Sequence, residues 1–270
     1  MRRIINIAAL AVLAAMTLPL SAEELRPVTH EDVWTMNRVG TPVISPDGRS
    51  AVVSVTEPSY EEDGDVKDLW LIDVSGEKAP RRLTATRQGE SGVAWRPDGG
   101  AIAFSAKRGE DEAAQVYVLD MTGPGEAIAI TSLSTGAGSP VWSPDGSKIA
   151  FESKVFPGVM DDEANQEEKK ARDERKYNVS AYDIFPIRQW DRWRDDKQVH
   201  LFVQDAIAGA EARNLMAGSA LVEEVGFSGA PSLSGNGWPG SALPRSTLSP
   251  DHPGRTVIAR ASTQSSGMNC

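Results

Sequence analysis

"WSPDG" occupies Trp142–Gly146, and two near copies precede it: "ISPDG" at Ile44–Gly48 and "WRPDG" at Trp95–Gly99. The three aspartates, Asp47, Asp98 and Asp145, are spaced by 51 and 47 residues. Ser-Pro-Asp-Gly encodes a type I turn: proline presets φ at the second position, aspartate suits the third, and glycine accepts the positive φ that follows. A short β-rich run flanks each copy on both sides, as in "TPVISPDGRSAVVSV", "SGVAWRPDGGAIAFSA" and "GSPVWSPDGSKIAFES". Each therefore reads as strand, tight turn, strand. The second strands carry Ala51, Val53 and Val55, then Ile102 and Phe104, then Ile149 and Phe151.

The likeness continues beyond the hairpins. A third strand ends in aspartate each time: "DLWLIDV" with Asp73, "AQVYVLD" with Asp120 and "VHLFVQD" with Asp205. Ten residues later come Leu83, Ile130 and Leu215, marking a short fourth strand. The next turn aspartate lies 15 residues beyond Leu83 and 15 beyond Ile130. A unit of four antiparallel strands recurring at this period is the signature of a β-propeller blade. The expected fold class is all-β: a partial β-propeller of three four-stranded blades plus a degraded fourth.

The third unit is longer, with 60 residues from Asp145 to Asp205 against 26 and 22 in the first two. The surplus, 152–198, contains "DDEANQEEKKARDERK" (Asp161–Lys176), which reads as a charged surface helix with pairs such as Glu168 and Arg172 at i, i+4. Near the start, Thr29 with Asp32 three residues on forms a capping box, and the helix is expected to run to Gly40. It reads as a short lead-in that packs against the propeller.

A fourth turn is due near residue 230, where Ala230 stands in "GFSGAPSLSGNG". A degraded copy comes late, in "STLSPDHPGRTVIARAS", with His252 and Pro253 inserted before Gly254. Ser228–Pro244 is rich in Gly, Ser and Pro. The division expected is 1–22 signal peptide, 23–40 lead-in, 41–227 blades one to three, and 228–270 an incomplete fourth blade. Repeat arrays depend on burial between neighbours. A seven-blade ring at this period needs about 350 residues, so the chain reads as the front part of a longer architecture.

"MRRIINIAALAVLAAMTLPLSAEE" has two arginines, an apolar run from Ile4 to Leu20 and small residues before two glutamates. This is the layout of a secretory signal peptide cleaved after Ala22. The expectation is export to the periplasm or medium, with no membrane association after cleavage. Acidic residues outnumber basic ones 38 to 28, which argues against a nucleic-acid partner. The one cysteine, Cys270, allows no internal disulfide and no cysteine-based metal site. No cofactor fingerprint or metal motif is found. The acidic stretch Tyr60–Asp65 reads as a solvated loop.

The triple turn unit resembles the WD40-like repeats shared by TolB-type periplasmic proteins and the prolyl oligopeptidase family of serine peptidases. "YDIFPIRQWDRWRDDKQVHLFV" (Tyr182–Val203) is similar to a segment of the dipeptidyl-peptidase V and acylaminoacyl-peptidase branch of that family. The matching positions are Tyr182, Asp183, Arg188, Trp190, Asp191, Trp193 and His200–Val203, and Gln189 departs from the more usual histidine. The resemblance covers about 28–227. It implies an N-terminal propeller that filters peptide substrates, and a C-terminal α/β-hydrolase domain that supplies Ser, Asp and His, the serine in a Gly-x-Ser-x-Gly elbow. The nearest string here, "GFSGA" at Gly226–Ala230, has glycine directly after Ser228. No catalytic residue is carried over. His30, His200 and His252 read as a helix start, a strand position and a loop. By the resemblance, the parent activity is dipeptide release from peptide N-termini, and the hydrolase domain is missing from this chain.

The candidate substrate-binding residues are Arg188, Trp190, Asp191, Trp193 and Arg194. One reading lines the mouth facing the peptidase domain with them, the tryptophans meeting peptide side chains and Asp191 a substrate ammonium. The other is a packing cluster with arginine stacked on tryptophan. Two functions stay open: the propeller of a secreted serine exopeptidase, or a non-catalytic TolB-like binding propeller.

Overall fold

The computed structural model describes residues 26–60, 64–86, 88–177, 179, 187–193 and 196–219. The chain divides into two compact units, Met1–Met36 and Asn37–Cys270. The expected leader, the "GFSGA" string, the Gly/Ser/Pro-rich stretch, the late turn and Cys270 lie outside the described residues, as do Glu61–Asp63.

In the first unit, α1 spans His30–Trp34. The capping box is present: Asp32 N–H donates to Thr29 Oγ1, and Thr29 N–H donates back to Asp32 Oδ2 at 2.8 Å. The helix stops six residues before Gly40. Thr35 Oγ1 donates to the Glu31 carbonyl at 2.8 Å, which satisfies a terminal acceptor of the single turn. Arg38–Val39, expected to be helical, instead forms strand β1 of the second unit, pairing with Thr56 and Val55. An unpaired sheet edge outcompetes a helix that buries no residue.

Among its described residues the second unit is all-β apart from one helix, and its main elements there are three antiparallel sheets. The first joins β1 and β2 (Val43–Ile44) to β3 (Ser50–Glu57), β4 (Val66–Asp73) and β5 (Arg81–Arg82). The second runs β6 (Glu90–Trp95), β7 (Ala101–Ala106), β8 (Gln115–Asp120) and β9 (Ile128–Ala129). The third runs β10 (Gly138–Trp142), β11 (Lys148–Val155), β14 (Gln198–Asp205) and β15 (Arg213–Asn214). Between β11 and β14 lie α2 (Asp162–Asp173) and a small hairpin, β12 (Arg188–Gln189) with β13 (Arg192–Trp193).

The repeat seen in the sequence is a repeat of hydrogen bonds. Gly48, Gly99 and Gly146 each donate N–H to the carbonyl three residues back, at 2.9, 2.8 and 2.8 Å. In the first and third turns a serine hydroxyl, Ser45 or Ser143, donates to the turn aspartate and accepts the N–H of Ser50 or Lys148. In the second turn Arg96 Nε takes the donor role toward Asp98 at 2.7 Å. The residue after each strand-ending aspartate, Val74, Met121 or Ala206, donates to Arg49, Gly100 or Ser147 at 2.9 Å. Leu83, Ile130 and Leu215 each donate to the carbonyl fourteen positions earlier, of Leu69, Val116 and Leu201. The constant offsets in sequence are therefore constant registers in space.

Strand alternation builds the core between sheets. Ile102, Phe104 and Ala106 of β7 pack with Tyr117 and Leu119 of β8 against Val52 and Leu69 of the first sheet. Ala101, Ala103 and Val116 pack with Ile149, Phe151 and Phe202 of the third. Every residue of β7 is buried because both faces of its sheet are covered. Phe151 and Phe202 are cross-strand partners with rings stacked at 5.8 Å. Each such aromatic contributes roughly 1.5–3 kcal/mol of burial.

The first strands add a polar seam. Trp95 Nε1 donates to the Val43 carbonyl at 2.9 Å, and Trp142 Nε1 donates to the Ala94 carbonyl at 3.1 Å. β6 and β10 also carry matching register breaks, between Ser91 and Ala94 and between Gly138 and Val141. Gly92 and Ser139, 47 positions apart, both have positive φ there, and a Cβ on Gly92 would meet Pro140 Cδ at 3.3 Å. These bulges let neighbouring first strands approach closely.

Candidate functional site

The strand order gives the second unit two different ends. The Ser-Pro-Asp-Gly turns join first to second strands at one end. The connections from second to third strands, 58–65, 107–114 and 156–197, leave from the other. All five residues singled out for substrate contact fall in the longest of these connections.

The hairpin brings together some of those residues. Arg188 faces Trp193 across the pair, and its guanidinium carbon lies 5.8 Å from the ring centroid, a cation–π contact. Trp190 and Asp191 form the two-residue turn. Trp190 sits at φ +55° with 92% of its surface exposed, and Trp193 is 64% exposed. Asp191 is exposed as well. A bulky residue at positive φ is strained, by about 1–3 kcal/mol. Arg194, Tyr182 and Asp183 lie outside the described residues. The site therefore divides: Arg188 and Trp193 form the stacked pair, while Trp190 and Asp191 project at the tip.

Apart from the expected Glu168–Arg172 pair, the base of the connection is held by residues that the sequence does not single out. Phe156 lies between two cations, with Arg172 4.3 Å and Lys197 4.8 Å from its ring centroid. Arg172 also donates to Glu168 at 2.6 Å and to Asp196 at 2.9 Å, tying α2 to the chain just before β14. Asn165, buried on α2, accepts the Phe156 N–H at 2.9 Å and donates to the Asp161 carbonyl. Asp162 accepts from Ser134 N–H and hydroxyl at 2.8 and 2.7 Å. Asp161 caps the helix by accepting from Ala164 N–H.

Beside α2 lies a cleft of about 720 Å³, lined by the 110–115 stretch, 132–134 and the helix face bearing Gln166, Lys169, Lys170 and Asp173. Lys169 pairs with Glu112 across it at 2.5 Å. The Glu112 partner raises the Lys169 pKa, and Lys169 holds the carboxyl of Glu112 below its usual range. Nearby, the buried Glu90 accepts from Thr84, Thr86 and Arg108. Arg108 lies over the rings of Phe104 and Tyr117. Burial, then the hydrogen bond to Asp111, pushes the Tyr117 hydroxyl up to about 12. Asp68, also buried, pairs with Arg82. These charges are partnered, and Arg108 N–H donates to Asp111 at 3.1 Å, which ties this network to the cleft wall. No group of three or more His, Cys, Asp or Glu arranged to hold a metal ion occurs among the described residues. No helix among them is long and apolar enough to cross a membrane.

A repeated sheet unit joined by an indole seam, with one elaborated connection, defines an all-β, propeller-like class of protein. No family model matches the chain. Dipeptidyl-peptidase 5 of Porphyromonas gingivalis is 31% identical over 96 residues, which are 36% of this chain and 14% of that protein. The resemblance to the propeller portion of the prolyl oligopeptidase family, in its dipeptidyl-peptidase V and acylaminoacyl-peptidase branch, rests on that relative. Solved structures similar to this one include the acylaminoacyl peptidase of Pyrococcus horikoshii, at 14% identity and TM-score 0.48, covering 68% of this chain and 26% of that one. A protein described as a putative TolB from Agrobacterium tumefaciens is similar at 23% identity and TM-score 0.40, covering 63% and 46%. The chain thus spans a small part of the peptidases it is similar to.

Proposed function

We propose that this chain is the N-terminal propeller portion of an exported serine exopeptidase of the dipeptidyl or acylaminoacyl peptidase kind. Its three sheets are three blades of a larger ring. Its part in the reaction is to gate and bind peptide substrates, and the α/β-hydrolase domain that carries the Ser, Asp and His lies outside this chain. The observation that carries this reading is the 31% identity to dipeptidyl-peptidase 5. The exposed hairpin of β12 and β13, with Arg194 next to it in sequence, supplies a chemically suitable contact. Asp191 offers a carboxylate to a peptide ammonium, Trp190 and Trp193 offer ring faces to side chains, and Arg188 and Arg194 suit a peptide carboxylate or carbonyl.

The native gene product, isolated from its source, tests this. The expected result is release of N-terminal dipeptides or acylated residues from fluorogenic peptides, blocked by a serine-directed fluorophosphonate. Peptide binding without hydrolysis or labelling would instead favour the TolB-like binding propeller.

A further inference from the structure

His200 is completely buried in the middle of the third sheet, yet it takes part in no step of the proposed function. Its Nδ1 lies 2.9 Å from Asn214 Nδ2 on β15. The orientation of that amide is fixed from both sides. Asn214 Oδ1 accepts the Met216 N–H at 2.9 Å, and Nδ2 also donates to the Met160 carbonyl at 3.0 Å. Both Nδ2 hydrogens are thus used, so His200 Nδ1 must be an acceptor and its proton sits on Nε2. Nε2 has no hydrogen-bond partner.

We propose that His200 is a proton-operated latch on the connection that carries α2 and the tryptophan hairpin. Met160 lies at the foot of α2, and Asn214 is the hydrogen-bonded link between it and the sheet. A proton on Nδ1 sets two N–H donors against each other. Asn214 can relieve the clash by turning its amide over, and this breaks its bonds to both Met160 and Met216. Acid then loosens the foot of the inserted connection while the core strands stay paired.

The surroundings favour this outcome over stabilisation of the cation. Ser153 of β11 stands opposite His200, and its hydroxyl donates to the Gly136 carbonyl. Glu152 and Lys154, its neighbours in β11, fall on the other face by strand alternation, as does Arg213 beside Asn214. Asp161 and Asp162, next in the chain after Met160, are engaged with Ala164 and Ser134. Burial lowers the His200 pKa from its ordinary 6.5. A histidine held below its unfolded value supports the fold fully above about 6.5, and that support is lost as pH falls through the folded value. The latch is therefore closed at neutral pH and opens on acidification. It is independent of which ligand the chain handles.

Hydrogen exchange, corrected for its intrinsic pH dependence, reads the latch directly. Between about pH 7.5 and about pH 5, α2 amides lose protection while those of β7 keep theirs. His200→Asn places an amide oxygen near the Nδ1 position and cannot titrate in this range. This variant keeps α2 protected at both pH values. Retained α2 protection in the unsubstituted chain, parallel loss in β7, or an undiminished pH response in the variant would overturn the proposal. Should the variant not fold, the His200 ring resonances in the unsubstituted chain decide. Titration below 6.5 in step with α2 loss supports the latch, and titration at or above 6.5 refutes it.

Discussion

The indole N–H of Trp142 reaches the Ala94 carbonyl of the preceding sheet at 3.1 Å, one repeat on from the same bond between Trp95 and Val43. The acceptor in each case is the residue just before the position that tryptophan occupies in its own unit. Ile44 holds that position in the first sheet and is 52% exposed. The seam is thus a directional device in which each sheet reads its predecessor.

Trp142→Phe keeps most of the apolar surface and removes the donor. Loss of the indole bond to the Ala94 carbonyl should cost about 0.5–1.5 kcal/mol in urea unfolding. Trp142→Ala should cost about 3–5 kcal/mol because a cavity opens in the core between the second and third sheets. Equal losses for the two variants would show that the indole bond carries the effect and the ring packing does not.

Gly146 and Gly48 separate two effects in the same turn. Both have positive φ, +70° and +72°. A Cβ at Gly146 would meet Arg96 Cγ at 3.1 Å, whereas one at Gly48 meets nothing within 4 Å. Gly48→Ala should cost about 1–2 kcal/mol for the left-handed backbone alone. Gly146→Ala should cost more, and thermal unfolding of the pair gives the difference due to the Arg96 contact.

Asp145 predicts an acid response. Hydrogen bonds from the Ser143 hydroxyl, then from Ser147, hold its carboxyl down at about 2. A carboxylate held below its ordinary 3.8 stabilises the fold above that value, and this contribution is lost as pH falls toward 2. The stability gap between the unsubstituted chain and Asp145→Asn should be full above pH 4 and close as the pH approaches 2. A gap that stays constant across this window would remove the carboxylate from the turn's stability.

The hairpin tip carries two separable predictions for the complete peptidase. Asp191→Asn should raise KM for free-amino peptides and leave N-acylated ones unchanged. Trp190→Gly relieves the positive φ, so it should not lower stability, yet it should weaken peptides with large side chains. Unchanged KM values in both variants would return the hairpin to a packing role.

Much of this architecture was legible because it is local and periodic. Proline, aspartate and glycine in the turns state their own geometry, and the strand offsets follow from registers that repeat residue for residue. The charged helix was legible for the same reason, down to the Glu168–Arg172 pair. The indole seam was half visible as Trp95 and Trp142 at matched positions, but its acceptors are backbone atoms 52 and 48 residues away. The pairing of Arg38–Val39 with β3 is likewise a tertiary contact that overrides a helix signal. The tight turn at Trp190 and Asp191 had no glycine or asparagine to announce it. The clamp on Phe156 joins residues separated by the whole insertion, so no spacing rule marks it.

The most direct test of the central claim is the nucleotide sequence of the source DNA beyond codon 270, read in all three frames. A peptidase propeller predicts further turn repeats followed by a Gly-x-Ser-x-Gly elbow within an open frame. A stop followed by unrelated sequence would contradict it and leave the binding propeller as the better account.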